Sequence, residues 1–240
     1  MKYDESGINL KTKEILLSDD YLGVDEECEI GENEKILFAI DTYTQMVHKN
    51  IFTKLLLKRM AGKYDVDVSK IIYNKEKKQH EYITDSGDVI TFEILSDCLG
   101  GLNKELQKEL GCQERKGKCH EKSIFLAHAN KDTTILTGII SFLGERCIHS
   151  VVEMCDKKGN PKILDWTRNL VIDKDEYTKL FKFEILQETD AKVVFDELKI
   201  MADLDFDVRT YLTFRDELAK DIEKNKAVFN NSEEQRTVKK

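Results

Sequence analysis

The spacing of apolar residues predicts a helix early in the chain and β-structure after it. Between residues 33 and 60, apolar positions recur at intervals of three and four, which indicates one long helix or two short ones. Residues 1–31 are acidic and show no such period, so we expect a loose arm over the surface. After a short predicted strand at residues 71–73, two apolar runs at 82–84 and 89–94 flank an Asp-Ser-Gly-Asp turn and predict a hairpin.

The second half of the chain alternates between strand and helix patterns. Three runs rich in β-branched residues predict strands, and a Gly-containing turn joins the last two in a hairpin: residues 133–142, 146–154 and 162–167. A helix is predicted to begin at Cys119, before the first of these strands. Further helices and one strand are predicted towards the C-terminus: helices at 173–181, 191–201 and 207–223, and the strand at 182–187.

Together these elements predict one α+β domain at residues 32–224, between the acidic arm and a polar tail at residues 225–240. The chain holds one proline and no internal repeat, so no segment has the pattern of a linker between two domains. In the fold we expect, a central antiparallel sheet packs against the helix that begins at Cys119. Helices from both ends of the chain are expected to close the far side of that sheet.

Composition and charge limit which binding partners and which cellular compartment we expect for this protein. The formal net charge of −8 repels phosphate backbones and anionic membrane surfaces, so we expect neither nucleic acid nor membrane as a partner. The N-terminal sequence lacks the apolar core of a signal peptide, and no apolar run is long enough to span a bilayer, which predicts a cytoplasmic protein. In that reducing compartment, the six cysteines are expected to be free thiols.

The candidate chemistry is formed by Cys119, His149 and Asp165, which occur in the order typical of thiol-dependent acyl transfer. Cys119 begins a predicted helix, and the unpaired amide groups of a first helical turn favour a thiolate. An imidazole can accept the thiol proton and return it to a leaving amine, while a carboxylate on the other ring nitrogen fixes the orientation of the ring. We therefore predict Cys119 as nucleophile, His149 as general base and acid, and Asp165 as the orienting carboxylate.

The hairpin turn at residues 156–160 determines whether His149 and Asp165 can meet. In an antiparallel pair centred on Lys157, the two residues face each other directly. A bulge at Gly159 that shifts the register by two residues makes the pair diagonal but keeps both side chains on one face of the sheet. Only an odd shift separates them, so the spacing predicts a shared face.

These residues resemble the transglutaminase-like branch of the papain-like cysteine enzymes. In that family, a Gly-x-Cys motif at a helix start precedes strands that bear a His and then an Asp. Here Gly-Lys-Cys ends at Cys119, His-Ser-Val-Val-Glu begins at His149, and Asp-Trp-Thr begins at Asp165, in matching order and similar spacing. The resemblance covers residues 100–170 and implies a papain-like or transglutaminase-like core with extra helices at both ends.

The resemblance also implies a mechanism, in which the Cys119 thiolate attacks an amide of a protein or peptide and forms a thioester. The acyl group then passes to water or to an amine. The backbone amide of Cys119 would hold the oxyanion together with a second donor, for which Gln113 is the candidate. Trp166 would shield the His149 and Asp165 pair from water. No cofactor is implied, and protease, deamidase, transglutaminase and amidase activities all stay open.

Other interpretations fit individual residues of this set. Cys119 could be an ordinary buried cysteine, Gln113 an exposed loop residue, and Trp166 a core tryptophan. His120 and His128 are interpreted as structural or surface residues. The alternative function is a catalytically inactive module that keeps the fold and binds proteins or peptides.

A metal site is the remaining alternative for this region. Its potential ligands are the cysteines and histidines of the segment: Cys112, Cys119, His120, Cys147, His149 and Cys155. No Cys-x-x-Cys or His-Glu-x-x-His spacing occurs among them, so we expect no metal.

Overall fold

The computed structural model describes residues 31–47, 54–55, 57–58, 61–62, 64–98, 118–129, 132–142, 145–201 and 207–237. The acidic arm as far as residue 30, the candidate oxyanion residue Gln113, the motif residue Gly117 and the last three residues of the predicted tail lie outside the described residues. Within the described ranges, the fold is α+β, with six α-helices and one sheet of eight strands.

All eight strands belong to one antiparallel sheet, in the order β1-β2-β3-β7-β6-β5-β4-β8. Their bounds are β1 (Ile71–Asn74), β2 (Gln79–Ile83), β3 (Val89–Ile94), β4 (Thr134–Phe142), β5 (Glu145–Cys155), β6 (Pro161–Asp165), β7 (Leu170–Asp173) and β8 (Glu184–Asp190). Each predicted strand overlaps an observed one, and both predicted hairpins are confirmed; the largest shifts in bounds are at 82–84, which is observed as Gln79–Ile83, and at 182–187, which is observed as Glu184–Asp190. β7 was not predicted, and it joins the early hairpin to the later strands by pairing with both β3 and β6.

The helices are α1 (Glu32–Met46), α2 (Leu95–Cys98), α3 (Cys119–Ala129), α4 (Lys174–Phe181), α5 (Ala191–Met201) and α6 (Val208–Thr237). α3 begins at Cys119, as the sequence predicts. α1 corresponds to the first part of the helical pattern at residues 33–60. α6 extends as far as Thr237, past residue 225, where the sequence predicts the beginning of a polar tail.

Each face of the sheet is covered by a different set of helices. On one side, which we call the α1 face, α1 and α4 pack on residues such as Val151 and Ile163. On the other, the α3 face, α3, α5 and α6 pack on residues such as Val152 and Leu164. The expectation that helices from both chain ends close the side opposite the Cys119 helix is therefore wrong for the C-terminal helices.

The pairing of β8 explains why the C-terminal helices lie beside α3. β8 runs antiparallel to β4, with Thr134 opposite Asp190, so the chain leaves β8 close to the beginning of β4. The Ala191 N–H there donates a hydrogen bond to the Thr133 carbonyl oxygen (3.1 Å). α5 consequently begins on the α3 face, where Ala191 and Val194 join the core.

Gly138 of β4 permits the close approach of β8. It lies directly opposite His149 of β5, at the point where the register between β4 and β8 shifts. A Cβ at this position would overlap with the Glu184 carbonyl oxygen and lie 2.7 Å from the Phe183 ring. Only glycine therefore fits at this position without displacing β8.

The register of β5 and β6 leaves part of β5 open. The two strands pair from Val152 with Leu164 to Cys155 with Pro161, which is the shift of two residues that the sequence allows. Gly159 in the connecting turn has a positive φ of 85°. β5 pairs with β4 over a longer stretch, which includes His149. His149 thus lies in the part of β5 beyond the last residue pair with β6.

Candidate active site

Cys119 is the first residue of α3. The first amide of the helix to donate within it is that of Lys122, which bonds the Lys118 carbonyl oxygen (3.0 Å). The amide groups of Cys119 and His120 therefore precede the hydrogen-bonded part of the helix, and the positive end of the helix dipole lies at the thiol. The Cys119 side chain is buried, with 9% of its surface exposed.

His149 joins Cys119 to Asp165. Its Nε2 lies 2.9 Å from Asp165 Oδ2, and its imidazole also interacts with the Cys119 thiol and lowers the pKa of that thiol. Because Nε2 is engaged by the carboxylate, Nδ1 is the ring nitrogen left for the sulfur. The structure thus brings the three predicted residues together in the predicted order.

The contact between Cys119 and His149 links the two faces of the sheet. Side chains alternate along a strand, so His149 and Asp165 lie on the α1 face with Val151 and Ile163. α3 packs against β5 on the opposite face. The thiol can reach His149 because β6 has ended its pairing with β5 at this point.

Asp165 is fully buried and accepts four hydrogen bonds. Its Oδ2 accepts from His149 Nε2 (2.9 Å), from the Tyr177 hydroxyl (2.8 Å) and from Arg168 Nη1 (3.3 Å). Its Oδ1 accepts from the backbone N–H of Arg168 (3.2 Å). The guanidinium of Arg168 in turn stacks 4.7 Å from the centre of the Phe181 ring. Sequence reasoning missed Arg168 and Tyr177, although both follow Asp165 closely in the chain.

The charges of these groups stabilise one another. Burial acts to raise the pKa of the Cys119 thiol, but hydrogen-bonding interactions with His120 and His149 and the charge of His149 lower it to about 5. Burial acts to lower the pKa of His149, but the charge and hydrogen bond of Asp165 and the bond with Cys119 raise it to about 9. Burial opposes ionisation of Asp165 too, but the charges of His149 and Arg168 hold its pKa below the usual range.

These shifts favour a thiolate and imidazolium pair between about pH 5 and pH 9. Four buried charges then lie together: the Cys119 thiolate, the His149 imidazolium, the Asp165 carboxylate and the Arg168 guanidinium. Two are negative and two positive, so their sum is zero. Burial of charges is tolerable when they are compensated in this way.

Cys98 shows what the same side chain does without such neighbours. Cys98 is exposed as a residue, but desolvation of its thiol by neighbouring groups, together with the charge of Glu93 and a hydrogen bond to it (3.4 Å), raises the pKa of the thiol to about 12. Of the described cysteines, Cys98, Cys119, Cys147 and Cys155, none forms a disulfide. At neutral pH, Cys119 and Cys98 therefore differ in their protonation within one protein.

His120 provides a second imidazole near the sulfur. The sequence had predicted a structural or surface role for this residue. It is 4% exposed, directly follows Cys119 in the first turn of α3, and its interaction with the Cys119 thiol helps to lower the pKa of that thiol. Its Nδ1 lies 2.7 Å from Ser150 Oγ, which lies 2.6 Å from Thr137 Oγ1. The Ser123 hydroxyl donates to the Ser150 carbonyl oxygen (2.8 Å). The one sequence signal for this network is the proximity of His120 to Cys119 and of Ser150 to His149 in the chain.

Trp166 lies in the core of the α3 face, with 2% of its surface exposed. The Phe125 ring meets it edge-on with centroids 6.1 Å apart, and Lys122 Nζ lies 5.2 Å from its ring centre. The side chains that contact the Asp165 carboxylate are those of His149, Arg168 and Tyr177. Gln113, the other predicted supporting residue, lies outside the described residues.

Two properties of the described ranges concern metal binding and membrane insertion. No group of three or more His, Cys, Asp or Glu residues there is arranged to hold a metal ion. No helix in that part of the chain combines the length and apolar character needed to cross a bilayer.

Comparison with known proteins gives no match to this chain, whether with protein-family models, with curated proteins or with solved structures.

Proposed function

We propose that this protein is a thiol-dependent hydrolase or acyltransferase that acts on amide bonds of a protein or peptide through a thioester on Cys119. The main support is the hydrogen bond between His149 and the buried carboxylate of Asp165, together with the interaction of the same imidazole with the Cys119 thiol, which lowers the pKa of that thiol. A structural cysteine has no need of a compensated ion pair in a region closed to solvent, whereas a nucleophilic thiolate does.

In the proposed reaction, the Cys119 thiolate attacks the carbonyl carbon of the amide and forms a tetrahedral intermediate. Collapse of the intermediate breaks the C–N bond, and the leaving amine takes the proton of the His149 imidazolium. His149, now neutral, then accepts a proton from water or from an acceptor amine as this nucleophile attacks the thioester. Asp165 holds the ring so that Nδ1 faces the sulfur throughout, and Arg168 and Tyr177 keep the carboxylate in place.

The oxyanion of the tetrahedral intermediate needs hydrogen-bond donors in fixed positions. The beginning of α3 supplies suitable groups, because the backbone amides of Cys119 and His120 precede the first hydrogen bond within the helix. They lie on the same helical turn as the nucleophile. The reacting carbonyl could therefore approach both the sulfur and these amides.

The state of the thiol can be tested before any substrate is known. Alkylation of each cysteine by iodoacetamide is followed against pH by mass spectrometry. We expect Cys119 to react with a midpoint near pH 5, and Cys98 to stay largely unmodified at neutral pH. In His149→Ala, the pH midpoint of Cys119 alkylation should rise. In the control variant Cys155→Ala, which changes an exposed cysteine on the same strand as His149, the midpoint should stay unchanged. A midpoint for Cys119 near the ordinary thiol value would refute the proposal and favour the binding module.

Turnover is tested with a mixed peptide library, with and without a primary alkyl amine, read by mass spectrometry. Backbone cleavage, loss of side-chain ammonia and incorporation of the amine give three different mass changes, so the assay separates protease, deamidase and transfer activities. Intact-mass measurement should detect an acyl adduct on Cys119. Cys119→Ala should abolish every one of these products, and retention of turnover by that variant would exclude Cys119 as the nucleophile.

A further inference from the structure

The sulfur of Cys119 has two imidazole partners, and they differ in what holds them. His149 bonds a buried carboxylate, that of Asp165. His120 bonds a hydroxyl, that of Ser150. The first arrangement favours an imidazolium that can give up and regain a proton. The second gives the ring a neutral hydroxyl partner in place of a carboxylate, so it suits a different task.

The hydroxyl network defines which nitrogen of His120 can serve the sulfur. Ser150 Oγ is close to both Thr137 Oγ1 and His120 Nδ1, but a hydroxyl has one proton to donate. If Thr137 donates to Ser150, the Ser150 proton points to Nδ1. The ring proton then lies on Nε2, which leaves an N–H to donate to the Cys119 sulfur.

The network is buried and fixed to two strands. Thr137 is 1% exposed on β4 and Ser150 is 1% exposed on β5. Ser123, one turn after His120 on α3, bonds the backbone oxygen of Ser150 (2.8 Å) and so ties the first turns of the helix to the same residue. Buried polar groups that are all hydrogen-bonded hold a ring in one orientation.

Asp207, just before α6, is a charged group near His120 in the described part of the chain. The pKa of the Asp207 carboxyl is lowered chiefly by hydrogen bonds with Thr210. Asp207 is exposed and its carboxylate accepts bonds from Thr210 itself. It therefore provides a matched control for any effect of charge on His120.

We propose that His120 is a second catalytic residue, whose ring N–H donates a hydrogen bond to the Cys119 sulfur and stabilises the thiolate while His149 transfers the proton. Ser150 and Thr137 are positioning residues that set the tautomer of His120. This inference rests on the proposed function, because it assigns a role at the same thiol.

The test compares three variants at His120 and Ser150 by the pH dependence of Cys119 alkylation, which requires no substrate. His120→Leu removes the donor but keeps much of the volume. Loss of one hydrogen bond to a charged group should raise the midpoint of Cys119 by about one to two pH units from its value near 5. His120→Gln can donate from its amide nitrogen and should keep the midpoint close to that of the wild type. Ser150→Ala, which leaves the ring in place, should give a smaller rise than His120→Leu.

Controls separate this role from packing and from charge. Asp207→Asn should leave the midpoint unchanged, and circular dichroism and thermal melting show whether each variant is folded. If His120→Leu cannot be obtained folded, Ser150→Ala decides the question.

The proposal is overturned if folded His120→Leu or Ser150→Ala keeps the wild-type midpoint, or if His120→Gln rises as far as His120→Leu. A midpoint near the ordinary thiol value in the wild type itself would instead refute the proposed function.

Discussion

Replacing Asp165 by Asn should destabilise the fold because it removes the carboxylate whose charge most favours the ionised form of the buried Arg168 guanidinium. The guanidinium of Arg168 is buried, and the charge of Asp165 is the largest influence that favours its ionised form after burial opposes it. An asparagine would also place an NH₂ group or a neutral oxygen where His149, Tyr177 and Arg168 now donate. His149 can lose its proton in response, but Arg168 cannot.

The expected size of the effect follows from this geometry. Removing one partner of a buried ion pair typically costs about 3–5 kcal/mol, because an uncompensated charge stays in the interior. Asp41 contributes a weaker favourable charge to Arg168, and His149 can become neutral. We therefore expect Asp165→Asn to lower the free energy of unfolding by about 3 kcal/mol, at the low end of that range.

A second change in the same protein isolates the cause. In Asp165→Asn with Arg168→Met, both charges are gone, so a guanidinium that has lost the Asp165 carboxylate no longer contributes to the cost. The double variant should be more stable than the sum of the two single effects predicts, by about 1–3 kcal/mol. The measurement is urea unfolding at pH 7, with the slope of the transition compared among all four proteins.

Additive effects of the two changes would refute this reasoning. They would mean that Arg168 is compensated by other groups and that Asp165 interacts mainly with His149. An unaltered stability for Asp165→Asn alone would have the same meaning. A changed slope would signal an altered unfolded state rather than a lost pair.

Three further outcomes follow from the site. The rate of the proposed reaction should show a bell-shaped dependence on pH, rising as Cys119 is deprotonated near pH 5 and falling as His149 loses its proton near pH 9. Both are apparent pKa values of the coupled pair. Steady-state rates measured from pH 4 to 10 check them. Tyr177→Phe should cost about 1.5–3 kcal/mol in urea unfolding, because it removes a hydrogen bond to the buried carboxylate of Asp165. Gly138→Ala should cost about 1–3 kcal/mol by overlap with the β8 backbone, and a melting temperature equal to that of the wild type would contradict the packing described.

The sequence allowed the three central residues to be predicted because their constraints are local. Cys119 begins a helix with a clear pattern, and the short turn after β5 limits the register that can bring His149 and Asp165 together. The observed shift of two residues keeps them on one face, as that constraint requires. Strand alternation and a helix start are properties of short segments, so neither depends on the rest of the fold.

What the sequence could not show depends on contacts between distant segments. β7 is four residues long and is followed at once by α4, whose beginning at Lys174 has the stronger pattern. Its pairing with β3 joins segments far apart in the chain, and no local signal specifies that register. His120 was missed for the same reason, since its partner Ser150 lies on another element and faces the side of the sheet opposite to His149.

The zero sum of the four buried charges has a consequence for the second half-reaction. When Cys119 becomes a thioester, its negative charge disappears. If His149 kept its proton, the four groups would then carry a net positive charge, and the charge of Arg168 already acts to lower the pKa of His149. The bond with the thiolate that helped to raise the pKa of His149 is lost in the same step. Acylation would therefore turn His149 from a proton donor into a proton acceptor, in time for the incoming nucleophile. Formation of the thioester would therefore favour its own hydrolysis or aminolysis, and no conformational change would be needed.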